Sequence, residues 1–481
     1  MTTDSKLSVC GFCSLYHPFN HFFKPTFMKK FLCFIVSLVF IAGCTNTDVE
    51  PTKTNNVSNY SADFLREWLK LECRVVKETP GFLPPQASRA FGYVGITAYE
   101  AVYSGIPNAK PLAGQINRLA VTSMPVPLTQ NINYHWGIVA NAAVADMMRF
   151  MFDKNITPAN LQKVNDLEAK YLSEFSENLN KATGKTLMEE SVKHGKAVAR
   201  AIYEYSKSDG GHDSYLNPFS RPFTPVTGID KWVPTDAKNA TPLSPYWFKC
   251  RPILASNMDF ATPPKPMAFS LDKQSDFYRQ ATQVYNQVKN NTADQVEIAK
   301  FWADDPFATC TPTGHTFNIL TQLLEETNAT LEKAVVGYAM LGIAEIDAFI
   351  ACWKAKYDYS LIRPVSYIQK YIDPKFTTVI GTPAFPAYTS GHATEIGVGE
   401  KIFTKLFTKG DGVYALTDRS QVQHGFPARK FSNFAEMAKE CANSRLYGGI
   451  HYEMDNQNGL LMGRGIGDNV INSIKWPTDI K

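Results

Sequence analysis

Apolar residues recur at helical spacing along most of the chain from Ser61 onward, and strictly alternating runs are few, so the pattern predicts helices rather than strands. Ser61 reads as the N-cap of a helix reaching about Val76. Further helices are expected over residues 87–104, 134–152, 158–178, 184–206, 271–289, 293–303, 315–328 and 392–407. Between 207 and 268 the periodicity stops, and Pro, Gly, Asp and aromatic residues dominate, as from Pro242 to Trp247. That composition predicts a long ordered surface loop, and loops of such length are more often functional than connective. Ala334 to Trp353 is apolar on nearly every face, the mark of a central buried helix. Glu345 and Asp347 interrupt it, and a buried carboxylate needs a partner, so each is expected to meet a base or an amide. The sum is an all-α fold: one large helical bundle over 61–481, with no repeat of 20–50 residues.

The N-terminus has a different logic. Met28-Lys29-Lys30 precedes a 13-residue, almost wholly apolar run from Phe31 to Gly43, too short for a comfortable permanent span but shaped like a secretory signal. It ends Ile41-Ala42-Gly43-Cys44, which resembles a bacterial lipobox. Cys44 is therefore the expected lipidation site, and 44–60 a polar tether. Residues 1–27 read as an upstream extension, with Met28 as the start. These features place the protein in a bacterial cell envelope, lipid-anchored to the outer membrane on its periplasmic or surface face. Five further cysteines (Cys73, Cys250, Cys310, Cys352, Cys441) are scattered and odd in number, so no disulfide framework is expected.

Of the net charge of +4, residues 1–43 supply +3, so the body is nearly neutral. A nucleic-acid binder would carry a basic surplus, and none is expected as a partner.

Candidate chemistry clusters in the last third. Lys356 is separated by six residues from Arg363-Pro364. Ser390-Gly391-His392 opens an apolar-periodic stretch. Ser444-Arg445 is followed by Gly448-Gly449, His451 and Asp455. Each alone reads as ordinary structure: solvated cations, a helix cap, a surface His–Asp pair. Together they describe an oxyanion site. Lys356 offers compact positive charge, and Arg363 and Arg445 offer planar forks that bind two oxygens at once. The backbone N–H groups of Ser390 and Gly391 would lie at a helix N-terminus, where anions bind, and Gly391 allows close approach. His392 suits proton transfer near neutrality. His451, past a Gly-Gly turn, could reach the central atom as metal ligand or nucleophile, with Asp455 orienting its ring.

This order of motifs resembles the type 2 phosphatidic acid phosphatase / vanadium-dependent haloperoxidase superfamily. Thr389 stands where that family usually has Pro; Thr can hold an extended conformation and cap the helix. Pro84-Pro85 with Arg89, Ala98 to Ala101, and Phe301-Trp302 to Pro306 resemble the soluble bacterial vanadium haloperoxidase branch. The resemblance implies a helical bundle with the oxyanion site between core helices, within 350–460. It implies vanadate held by Lys356, Arg363, Ser390, Gly391 and Arg445, His451 as the metal ligand, and His392 as the acid–base group. Hydrogen peroxide, a halide (iodide or bromide) and a small organic acceptor would be the partners. Trp302 and Phe385 would either flank the halide or serve as core aromatics.

Two other readings stay open. Phosphate would occupy the same shell in an acid phosphatase working through a phosphohistidine at His451. A ligand-binding surface lipoprotein with a vestigial site would share the helical, aromatic-rich look. The lipid-phosphatase members span membranes several times, and Glu345 and Asp347 argue against reading 334–353 as such a span. The sequence is silent on oligomeric state.

Overall fold

The computed structural model describes residues 55–127, 134–177, 179–219, 222–235, 240–408 and 413–480. The signal segment 28–43, the extension 1–27, Cys44 and the tether as far as residue 54 lie outside the described residues. Residues 55–60 do not behave as a tether. Val57 is buried, Trp136 donates its indole N–H to the Asn55 carbonyl at 2.8 Å, and the Tyr60 carbonyl accepts from Leu331.

The fold is all-α. In chain order the helices are α1 (Asp63–Glu78), α2 (Pro84–Val102), α3 (Trp136–Phe152), α4 (Pro158–Glu177), α5 (Gly184–Lys207), α6 (Asp276–Lys289), α7 (Ala293–Phe301), α8 (Thr311–Glu326), α9 (Leu331–Tyr359), α10 (Pro364–Tyr371), α11 (Gly391–Phe407), α12 (Phe434–Tyr447) and α13 (Glu453–Ser473). Among the described residues the one sheet is a short antiparallel pair, β1 (Leu416–Asp418) and β2 (Arg429–Phe431).

Local chemistry sets the boundaries. Ser61 does accept from the Asp63 N–H at 3.1 Å, but the N-cap position falls on Ala62. Pro84 and Pro85 start α2 earlier than its periodicity suggests, because the first helical turn needs no N–H from them. Ser275 caps α6 and Thr292 forms a capping box with Gln295 at α7, so both helices start sharply. The described parts of 207–268 are irregular but ordered. Arg251 donates to the Asn117 and Tyr205 carbonyls, and Arg89 pairs with Asp209 at 2.7 Å.

Helix α9 runs through the centre and is buried along nearly its whole length. By length and composition it could cross a membrane, but that apolar stretch is covered by protein on all sides. Helices α2, α8, α11 and α13 pack around it. Gly92 and Gly95 of α2 lie against the Gly342 and Tyr338 carbonyls, so the two main chains approach closely there. Asp347 meets the amides it was expected to need: it accepts from the Ile253 and Leu254 N–H groups and the Asn257 amide at 2.6–2.8 Å. Glu345 does not. Neither of its oxygens has a hydrogen-bond partner, and its ionisable neighbour is Glu395 of α11. The five body cysteines are free; Cys73 and Cys310 are in direct side-chain contact.

Candidate active site

The candidate residues arrive on five helix ends. Lys356 lies in the last turn of α9, which stops when Ser360 turns left-handed at φ +47°. Three residues later Arg363 is the N-cap of α10, fixed by Pro364. Ser390 caps α11, its hydroxyl accepting from the Ala393 N–H at 3.4 Å. Arg445 lies in the last turn of α12, which ends in a Schellman motif. Gly449 sits at φ +79°, its N–H reaches the Leu446 carbonyl, and the Ile450 N–H reaches the Arg445 carbonyl. His451 follows at once, and Asp455 is in the first turn of α13. Helices α11 and α13 meet backbone to backbone. A Cβ at Gly463 would fall 1.8 Å from the Thr394 carbonyl oxygen, and one at Gly459 would fall 2.8 Å from that of Ser390.

Lys356, Arg363 and Arg445 are all essentially inaccessible to solvent. Among the described residues none of the three forms an ion pair with a carboxylate. Lys356 places its ammonium on the Pro386, Ala387 and Thr389 carbonyls, which uses all three of its donors. It therefore braces the 386–389 loop rather than presenting a free N–H. Arg363 donates from Nε to the Phe385 carbonyl (2.8 Å) and from Nη1 to the Ile450 carbonyl (2.9 Å), with His451 Nε2 3.1 Å away; its Nη2 has no partner. Arg445 donates to Ser444 Oγ and to the Ala299 and Trp302 carbonyls, with Nη1 3.4 Å from His392 Nε2. Burial lowers all three cations: Lys356 to about 8, Arg363 to about 10, and Arg445 below its usual value. Concentrated, unpaired positive charge of this kind calls for an anion.

His451 donates Nδ1–H to Asp455 Oδ2 at 2.9 Å, which leaves the lone pair on Nε2. Burial first, then Arg363, Lys356, Arg445 and His392, hold its pKa well below the usual range, so the ring is neutral. Burial raises Asp455 to about 7, against the pull of the Tyr452 N–H. Burial and Arg445 likewise push His392 far down, opposed by a hydrogen bond to the Ala303 carbonyl. With Nε2 beside Arg445, the lone pair of His392 is on that atom.

The predicted residues thus converge, but not all at one surface. Gly391, His392 and His451 line a single cavity of about 660 Å³. Lys356, Arg363, Ser390, Arg445 and Asp455 lie behind that wall. Two expectations change. The Ser390 N–H donates to the Asp455 carbonyl, so the amides left over at the α11 N-terminus are those of Gly391 and His392. Thr389 does not cap the helix; its hydroxyl donates to Cys352 Sγ. Trp302 is 2% exposed and stacks on His315, away from the cavity. Phe385 lines the cavity and has Lys356 and Arg363 over its ring at 4.9 and 5.0 Å.

Sequence reasoning missed Trp353, which lines the cavity one turn before Lys356. It also missed a support behind Arg445 and His392. His315 sits between Asp304 (Nδ1, 2.8 Å) and Asp418 (Nε2, 2.8 Å), with Ser420 and Gln421 beside it. Burial alone would lower this histidine, but the two carboxylates outweigh it and hold the pKa well above 6.5. The charged ring anchors the Trp302–Asp304 segment, whose carbonyls hold Arg445 and His392. Its members lie up to 117 positions apart in the chain, and no local motif signals them.

Residues 337–381 and 370–478 match the family model of the VCPO second helical-bundle domain, a span that contains every candidate residue of the oxyanion site. The chain superposes on the crystal structure described as the first bacterial vanadium-dependent iodoperoxidase with a TM-score of 0.77. Identity is 29%, over 90% of this chain and 100% of that one. The chain is vanadium haloperoxidase-like in sequence and fold. A holo-type bacterial vanadium-dependent chloroperoxidase shares the fold more distantly, at a TM-score of 0.57 and 14% identity over 83% of this chain and 95% of that one. Its apo-type counterpart matches equally in TM-score, at 13% identity. No curated protein matches the chain significantly.

The residues present fit the vanadate such a fold implies. The Arg363 Nη2 is an orphaned buried donor, a Cβ built at Gly391 meets nothing within 4 Å, and His451 Nε2 carries a lone pair beside unpaired cations.

Proposed function

We propose that this protein is a vanadium-dependent haloperoxidase that oxidises iodide or bromide with hydrogen peroxide, anchored through Cys44 in a bacterial cell envelope. The observation that carries the reading is the trio of buried, carboxylate-free cations gathered at a helix N-terminus beside the unprotonated Nε2 of His451. Bound vanadate would supply Lewis-acid activation of peroxide without itself changing oxidation state. His451 Nε2 is the atom that would hold it. Arg363, Arg445 and Lys356 would neutralise its charge, and the Gly391 and His392 amides, free at the helix N-terminus, would be available to hold it. Asp455 fixes the His451 tautomer by accepting from Nδ1. His392, neutral at working pH, takes a proton at Nε2 and returns it, while Arg445 limits how long the charged ring persists.

The same shell suits phosphate, and the neutral His451 Nε2 is also a competent nucleophile for a phosphohistidine. The test treats the purified chain with vanadate, peroxide and iodide or bromide, and in parallel with a phosphomonoester lacking vanadate. Vanadate-dependent halide oxidation is expected. A phosphohistidine trapped at residue 451, without halide oxidation, replaces this reading with the phosphatase.

A further inference from the structure

The cavity that holds His392 and His451 is far larger than an oxyanion, a peroxide and a halide require. Its volume is about 660 Å³, within the range of sites for drug-sized organic ligands. Its floor is Trp353, Phe349 and Phe385, and its rim carries Leu216, Phe219 and Phe307. The three rim side chains are large and apolar yet 43%, 39% and 56% exposed. They come from two separate segments, 216–219 in the long loop and 303–307 after α7. One of them is held at a cost. Phe307 sits at φ +70°, a left-handed conformation that is uncommon for an aromatic residue. The fold therefore spends backbone strain to keep an apolar ring at the mouth of this cavity, where water gains nothing from it.

We propose that this cavity is a binding site for an apolar, ring-bearing organic acceptor, held with its reactive carbon above His392 and His451. The inference rests on the haloperoxidase reading for its chemistry but not for its binding. An electron-rich ring carbon exchanges its C–H bond for a C–X bond. The halide loses two electrons, peroxide is reduced to two waters, and the ring proton together with one solvent proton ends in those waters. Aromatic walls recognise the ring by stacking and edge contacts, and the apolar rim excludes water from it. Halogenation then takes place on a bound acceptor rather than on any solute that meets free hypohalous acid.

The experiment uses 4-phenylphenol as the probe and the full chain. Calorimetry without vanadate should give saturable binding at one probe per chain. Phe307→Asn, a residue that tolerates the left-handed backbone, and Phe219→Ser should each weaken it about tenfold, with melting temperature unchanged. With vanadate, peroxide and bromide, the rate of ring bromination should saturate in probe and be competed by biphenyl. No saturable binding, equal binding by both variants, or a rate linear in probe and indifferent to biphenyl would each overturn the inference. Saturable probe binding in a chain that oxidises no halide would uphold the site and reject the haloperoxidase reading instead.

Discussion

His392 and His451 share one cavity wall but owe their properties to different neighbours. His451 has Asp455 on Nδ1 and an unprotonated Nε2 facing Arg363 Nη1, whereas His392 is set between Arg445 and the Ala303 carbonyl. They should therefore fail differently. His451→Ala removes the one atom that would bond the metal, so vanadate affinity should collapse. His392→Ala leaves Lys356, Arg363 and Arg445 in place, so much of the affinity should remain while peroxide turnover falls about 100- to 10,000-fold. Equilibrium dialysis of vanadate alongside steady-state rates separates the two. At this scale much was readable beforehand, because Lys356, Arg363, Ser390, His392, Arg445 and His451 lie in three short motifs whose order carries the chemistry. What the motifs could not reveal was direction. That Lys356 turns onto three carbonyls, or that the Ser390 amide is committed to Asp455, depends on where the 386–389 loop and α13 arrive in space.

Among the helices, α9 and α11 carry a costly contact. Glu345 and Glu395 are buried against each other with three of their four oxygens unpartnered, and burial drives both carboxyls well above their ordinary range. A folded-state pKa above the unfolded one gives stability that is complete below the ordinary carboxylate value, about 4.3, and is lost as pH rises through the folded value. The melting temperature should therefore fall as pH rises above the ordinary carboxylate range, and Glu345→Gln should flatten that fall and melt higher at the alkaline end. Differential scanning over that rise in pH decides it; an unchanged slope would mean the pair is not its source. The elements themselves were mostly legible, since amphipathic spacing marks α1 to α8 to within a few residues, and unbroken apolarity marks α9. Helix α13 was harder. Its Gly459, Gly463, Gly465 and Gly467 weaken any helical signature, and their reason lies in contacts with other elements, such as α11, that the local pattern does not show.

At the scale of the molecule, three buried cations without carboxylate partners make the folded state a standing acceptor for an oxyanion. Vanadate at about a hundred times its dissociation constant should add about 2.7 kcal/mol of stability. Thermal unfolding should show phosphate acting in the same direction, and Arg445→Ala should lose most of the effect. Cys44→Ala should shift the protein from the membrane to the soluble fraction or leave it unprocessed; an unaltered membrane fraction at the same mobility would refute the anchor. The glycine contact between α11 and α13 has a consequence of another kind. Where main chains touch directly, the interval from the Gly391 amide to the His451 imidazole is gauged by peptide dimensions alone. Side chains elsewhere in the bundle can drift over generations, trading bulk and melting point, without resetting that gauge. One methyl group at Gly463, colliding with the Thr394 carbonyl, should do what many core substitutions do not, loosening the grip on vanadate out of proportion to the stability it removes.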